Sequence, residues 1–291
     1  MKKAAVIDVG TNSVRLLIAE KSSAGTYITL RYEVAITRLG EGIGREKILR
    51  PKAVERTLDV VKHYQEQANK LGAELVAVMG TSAVREAANK DTFINRVRED
   101  TNFELKVLSG SEEAELSCLG VLKSLPGLRE EGFLIFDLGG GSTEFIWQTG
   151  GQVYLESLEM GVVRLTEIFI SSDPPDPGEI KNMERHTRAL LSGLTEKTAH
   201  LRKLIGVGGT VTSLAAVKQG LKEYNPEKVH GFTLTVEDID LLFNSLMSLR
   251  EAERKKLPGL QPQRADVIIA GTVIIKTIMN MFKFKEVTAS E

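Results

Sequence analysis

The sequence predicts an α/β protein built from two domains related by duplication, each a mixed sheet with helices packed on it. Three observations carry this. Apolar, strand-like runs alternate with helix-like stretches along all 291 residues. The segment Asp8-Val9-Gly10-Thr11-Asn12-Ser13 returns as Asp137-Leu138-Gly139-Gly140-Gly141-Ser142, an offset of 137 − 8 = 129 residues. Each copy lies between two apolar runs, so a whole strand–turn–strand unit repeats, one domain apart.

Taken in order, residues 4–9 read as a buried strand, 10–13 as a turn and 14–20 as the returning strand. Residues 27–38 alternate like a third strand, and Gly40, Gly42 and Gly44 suggest a flexible loop. Pro51 opens a helix that carries Val54, Leu58, Val61, Ala68 and Leu71 on one stripe and closes at Gly72. A strand over 74–79, a helix over 91–99, a strand over 104–108 and a helix over 110–122 complete the first half. The pattern then restarts: strand 133–137, glycine turn 138–142, strands 143–148 and 152–158, a proline-rich surface loop over 171–178, helix 179–199, strand 203–207, a glycine turn at 208–209, a helix from Thr210 and a last helix over 264–281. The domains are expected at 1–122 and 123–291.

Composition narrows the function classes. A formal net charge of −1 provides no general field for nucleic acid or an anionic membrane, so neither DNA nor a membrane is an expected partner. The longest apolar stretch, 267–275, is about half of what a membrane span needs. Cys118 is the one cysteine, so an internal disulfide is ruled out, which fits a reducing, cytoplasmic setting. Four scattered histidines and one cysteine make no zinc pattern.

The two turns carry the chemistry. Gly10 and Gly139-Gly140-Gly141 allow the backbone to approach another group closely, with N–H groups aimed at phosphate oxygens. Asn12 lies in the first turn, and the hydroxyls of Thr11, Ser13 and Ser142 add donors. Asp8 and Asp137, at the ends of the preceding strands, are placed to hold Mg²⁺ directly or through water. Glu144 leaves the second turn on a strand beside Asp137. A third glycine turn, Gly208-Gly209-Thr210, opens a helix, and helix N-termini bind anions. Ser109-x-x-Glu112 fits a capping box, which makes Glu112 structural. Glu113, about 100° further round the helix, faces elsewhere and is a candidate to activate water, while Glu115 is expected in solvent. Arg15, Arg38, Arg85 and Arg264 adjoin these elements. Each suits phosphate recognition and each equally suits a surface ion pair.

At these residues the chain resembles the exopolyphosphatase/guanosine pentaphosphate phosphohydrolase (Ppx/GppA) family. The likeness rests on AVIDVGTNSVRLLIA (5–19), RLGEG (38–42), GTSAVREA (80–87), LSGSEEAEL (108–116), FDLGGGSTEF (136–145), GVGGTVTSLAA (206–216) and PGLQPQRADVIIAG (258–271). It implies two ribonuclease-H-like domains of the actin/sugar-kinase type, with the active site in the interdomain cleft. It implies release of the terminal phosphate from inorganic polyphosphate or guanosine pentaphosphate (pppGpp) with Mg²⁺. Glu113 matches the family's catalytic glutamate, Asp137 and Glu144 its metal-associated carboxylates, and Arg85 a phosphate-contacting arginine. The expected location is the cytoplasm, and a homodimer is left open. Two other readings remain open: an ATP-dependent kinase of the same superfold, and a non-catalytic alarmone sensor.

Overall fold

The structure, a computed structural model, describes residues 2–22, 27–125, 128, 132–149 and 152–291. It divides into two compact units, Met1–Ser109 and Gly110–Glu291.

The first unit contains strands β1 (Lys3–Val9), β2 (Ser13–Lys21), β3 (Tyr27–Ile36), β4 (Glu74–Gly80) and β5 (Leu105–Val107). They form one sheet in the order β3-β2-β1-β4-β5. β1 is antiparallel to β2 and parallel to β4. Helices of eight residues or more are numbered here, beginning with α1 (Pro51–Lys70) and α2 (Lys90–Thr101). α1 starts at a proline, whose missing N–H costs nothing in a first turn. It buries Leu58, Val61, Tyr64 and Ala68 in a core that also holds Ile7, Val9, Leu16 and Ile18 from the sheet. These strand residues sit two apart, which is why one face of each strand is buried.

The second unit contains α3 (Gly110–Ser124), β6 (Phe133–Leu138), β7 (Thr143–Thr149), β8 (Gln152–Leu158), α4 (Val162–Phe169), α5 (Pro177–Leu191), β9 (Lys203–Val207), α6 (Gly209–Lys218), β10 (Thr233–Thr235), α7 (Val236–Met247), α8 (Ile268–Phe282) and β11 (Glu286–Ser290). Its sheet runs β10-β11-β9-β6-β7-β8. Read from β8, the series β8-β7-β6-β9-β11 repeats the first sheet's order and directions, with β10 added at the edge. The duplication seen in the two turns is therefore a duplication of whole sheets. Phe133, Leu134, Ile135 and Phe136 are all fully buried in β6. Such a strand is covered on both faces, and its sequence reads as a continuous apolar run rather than an alternation.

The structure differs from the sequence expectations at several points. The domain boundary lies before α3 and not after it. Ala114, Cys118 and Val121 of that helix pack on Phe133, Ile135, Ile146 and Ile205, so it belongs to the second core. The segment around Gly40–Gly42 is not a loose loop: Leu39 and Ile43 are core residues, and a short helix covers Ile43–Glu46. The helix expected over 179–199 begins at Pro177, where Asp176 and Glu179 form a capping box, and ends at Leu191 before two short helical turns. The last helix begins at Ile268, after a separate turn over Pro262–Arg264. α4, α7, β10 and β11 were not anticipated. No helix among the described residues is long and apolar enough to cross a membrane.

Candidate active site

The two hairpin turns are built alike. In each, the first glycine's N–H bonds the carbonyl of the last turn residue: Gly10 to Ser13 at 2.9 Å, Gly139 to Ser142 at 3.0 Å. In the second turn the next three carbonyls face the start of α4. Val162 N–H donates to Gly139 O (3.0 Å), Val163 N–H to Gly140 O (2.9 Å), and the Arg164 side chain, through Nε, to Gly141 O (2.8 Å). The two valine amides belong to the first turn of the helix, which would otherwise leave them unbonded. A trans peptide points its C=O and the following N–H in opposite directions. With three carbonyls held on the α4 side, the N–H groups of Gly140, Gly141 and Ser142 must point the other way, as a concave set of donors. The positive end of α4 stands behind them.

The first turn is held similarly. Asn12 O accepts from the N–H groups of Thr37 (3.1 Å) and Arg38 (3.0 Å), and Thr11 O from Gly40 (2.9 Å). Arg38 takes a left-handed conformation (φ 53°), rare for a residue with a side chain, to make that contact. Thr11 Oγ1 accepts from Ala83 N–H at 3.2 Å, which ties the segment after β4 to the turn. In that segment Arg85 extends Nη1 to Leu108 O at 2.9 Å.

The hairpins differ in charge at one register position. Asp8 faces Arg15 across β1–β2, and the two form an ion pair at 2.9 Å. At the positions 129 residues later, Asp137 faces Glu144 across β6–β7. Facing residues of an antiparallel pair have Cβ atoms about 5 Å apart, and like charges there destabilise the sheet unless something of opposite sign lies near. Asp8 already has its cation in Arg15. The second hairpin instead presents two carboxylates beside three outward amides.

α3 is fastened to this pair of carboxylates. Ser117 donates its hydroxyl to Asp137 Oδ2. Glu144 is buried, and its Oε1 accepts from Ser142 Oγ at 2.7 Å and Ser157 Oγ at 2.8 Å. Gly110 starts α3 against β8, so close that a Cβ there would lie 2.8 Å from the Ser157 Cβ. Gly110, Glu113 and Ser117 fall at i, i+3 and i+7, one stripe of the helix. Glu113 is thus on the stripe whose two ends touch the Glu144 and Asp137 network. Glu112 is about 200° round from Gly110, on the far side. The helix start at Gly110 puts Ser109 and Glu112 at the two capping-box positions. Glu115 is exposed, as expected.

The third glycine turn adjoins the second hairpin, because β9 runs parallel to β6 with Val207 beside Asp137. Gly208 has φ 102°, and a Cβ there would lie 2.5 Å from Leu138 O. The Arg264 guanidinium fills the space over Gly209, and its Nε donates to Gln261 Oε1 at 3.0 Å. Arg264 is only 9% exposed.

Some expected donors have internal partners. Ser142 gives its hydroxyl proton to Glu144. The Thr11 hydroxyl oxygen holds Ala83, and Thr210 is packed against Gly271. At Ser142 the backbone amide, rather than the hydroxyl, is what the turn presents. Four residues at the second hairpin were missed by sequence reasoning: Ser117, Ser157, Gly161 and Arg164. Ser117 could have been found as the residue one turn beyond Glu113. Ser157 needs the β7–β8 register, in which it faces Glu144.

Mg²⁺ commonly takes one or two carboxylates and completes its octahedron with water and phosphate oxygens. Asp137 and Glu144 fit that requirement as a facing pair of hard oxygen donors. Among the described residues no group of three or more His, Cys, Asp or Glu side chains is arranged to hold a metal.

Comparison with known proteins agrees with this architecture. The chain is 35% identical over 299 aligned positions to the bifunctional 3-dehydroquinate synthase/phosphatase of Fusobacterium nucleatum, covering 99% of this chain but only 44% of that longer protein. It is 33% identical to exopolyphosphatase 2 of Mycobacterium tuberculosis, over 96% of this chain and 90% of that one. The crystal structure of an exopolyphosphatase from Cytophaga hutchinsonii superimposes with a TM-score of 0.91 at 28% identity, covering 99% and 94% of the two chains. The model of the Ppx/GppA phosphatase family matches residues 17–291. The duplicated sheets, the glycine hairpins and this match together show that the chain belongs to the Ppx/GppA phosphatase family.

Proposed function

We propose that this protein is a phosphohydrolase that releases the terminal orthophosphate from a linear phosphoanhydride chain by Mg²⁺-assisted attack of water. The observation that carries the reading is the second hairpin: two facing carboxylates, Asp137 and Glu144, beside the outward amides of Gly140, Gly141 and Ser142. Phosphoryl transfer asks little covalent chemistry of a protein. It needs a positioned nucleophile and fixed positive charge or dipoles around the phosphoryl oxygens.

The residues divide as follows. Glu113 orients the attacking water and accepts its proton. The amides of the second hairpin bond the phosphate oxygens, and those of Asn12 and Ser13 form a set of the same kind in the first unit. Arg264 and Arg85, with Arg38 and Arg15, supply the positive charge that a polyanion requires. Asp137 and Glu144 hold Mg²⁺, which when bound neutralises charge on the phosphate chain. Asp8 is better read as the partner that orients Arg15 than as a metal ligand, since the two are already paired.

Inorganic polyphosphate is the proposed substrate, supported by relatives named as exopolyphosphatases. Guanosine pentaphosphate ends in the same bond and is the second proposed substrate. The test is orthophosphate release from each, side by side, with Mg²⁺ and with EDTA. Release is expected with Mg²⁺ and is expected to stop with EDTA. Tight binding of guanosine pentaphosphate with no release from either substrate would favour a sensor. Equal turnover in metal-free buffer would remove the metal role.

A further inference from the structure

Glu144 is fixed by residues that the reaction itself does not require. Its Oε1 accepts two hydroxyl protons, one from Ser142, two residues before it, and one from Ser157 on the neighbouring strand. Both are charge-assisted bonds to a carboxylate that is 1% exposed. Two donors on one oxygen fix the carboxylate plane, and so the direction in which Oε2 is presented.

The Ser157 side chain is not needed to build the sheet. β8 is already paired to β7 along its whole length, from Thr143 facing Leu158 to Thr149 facing Gln152. Nor is Ser157 a buried hydroxyl in need of a partner, for the residue is exposed and water could serve it. It bonds Glu144 all the same. The same side chain forms the floor under the first residue of α3: a Cβ at Gly110 would come within 2.8 Å of Ser157 Cβ and 3.0 Å of its Oγ. One residue therefore touches both the carboxylate of the second hairpin and the helix that carries Glu113.

We propose that Ser157 is a positioning residue for the phosphate-releasing reaction, setting the orientation of Glu144 for the cation and the seat of α3 for Glu113. The proposal rests on the reading of Asp137 and Glu144 as the Mg²⁺ carboxylates. Hydrogen-bond partners of metal-binding side chains are typically worth roughly 10–100-fold in metal affinity or activity. The loss should therefore appear in metal binding as well as in rate, whereas a purely structural serine would lower the melting temperature and leave metal affinity alone.

The test uses the whole protein and Mn²⁺ as the probe, with free Mn²⁺ read by electron paramagnetic resonance in the absence of substrate. Ser157→Ala removes only the hydroxyl and so should fold. Its Mn²⁺ dissociation constant and Mg²⁺ activation constant should rise roughly 10–100-fold, with a melting temperature close to wild type. Ser157→Thr, which keeps the hydroxyl, should bind Mn²⁺ more tightly than Ser157→Ala. Glu144→Gln separates the two levels of the argument. If Glu144→Gln binds Mn²⁺ like wild type, the metal reading itself fails. If Glu144→Gln loses Mn²⁺ while Ser157→Ala binds and turns over like wild type, the metal reading stands and the role of Ser157 is overturned.

Discussion

Glu113→Gln should lower kcat roughly 10²–10⁴-fold, the usual worth of a positioned general base, while the fold and substrate binding persist. The expectation follows from its place on α3. Ser117, one turn further along the same stripe, bonds Asp137, and Gly110, one turn back, rests on the residue that bonds Glu144. Gln keeps the size and shape of Glu113 but cannot take a proton. If the transition state is loose and needs little base strength, the misplaced water still lowers kcat. Glu112→Gln provides the contrast. That side chain leaves the helix on the far side, at the capping position opposite Ser109. Gln can still reach back to a cap amide, so activity should stay near wild type, and Glu112→Ala should cost about 1 kcal/mol of stability. Loss of activity in Glu112→Gln with near wild-type turnover in Glu113→Gln would shift the assignment back by one residue. Melting temperature and kcat, measured on all three variants, decide it.

Gly161→Ala should be nearly as damaging for a different reason. The backbone at Gly161 is extended (φ −104°, ψ 158°), a conformation open to any residue, so the glycine is there for space. A Cβ would overlap the Gly140 carbonyl and the Gly141 nitrogen, the peptide that α4 holds in place. Overpacking against backbone costs on the order of 3 kcal/mol, which for a unit of this size lowers the melting temperature by roughly 6–12 °C. If the hairpin yields instead, its amides lose their aim. Removing one such donor from a phosphoryl or acyl site costs roughly 10²–10³-fold in kcat. The expected result is therefore a loss of stability, of kcat, or of both, and unchanged values of each would show that α4 does not set the hairpin.

Much of this site is legible in the sequence because glycine and aspartate mark turns by local chemistry. Two D-x-G turns at a fixed offset revealed the duplication without any knowledge of packing. Glu113 could be separated from Glu112 by helix geometry alone. What stayed hidden depends on register and on long-range contact. Ser157 has no distinguishing neighbours, and its role appears only once β7 and β8 are paired so that it faces Glu144. Arg164 lies 23 residues beyond the carbonyl that it holds. The domain boundary was misplaced for a similar reason. α3 follows the last strand of the first unit, yet Ala114, Cys118 and Val121 find their packing partners in the second. The charge difference between the hairpins, Arg15 against Glu144, could have been read from the 129-residue offset, and it is the clearest sequence sign that only one of the two copies gathers carboxylates.

The most direct measurement is turnover of polyphosphate in H₂¹⁸O with Mg²⁺, followed by mass analysis of the orthophosphate released in single-turnover conditions. Attack of water at the terminal phosphorus places one solvent oxygen in each orthophosphate, and Glu113→Gln should slow the appearance of that labelled product without changing the label count. Orthophosphate free of solvent oxygen would contradict attack at the terminal phosphorus, and phosphate delivered to an added hydroxyl or carboxylate acceptor in place of orthophosphate would contradict hydrolysis and return the protein to the kinases of the same fold.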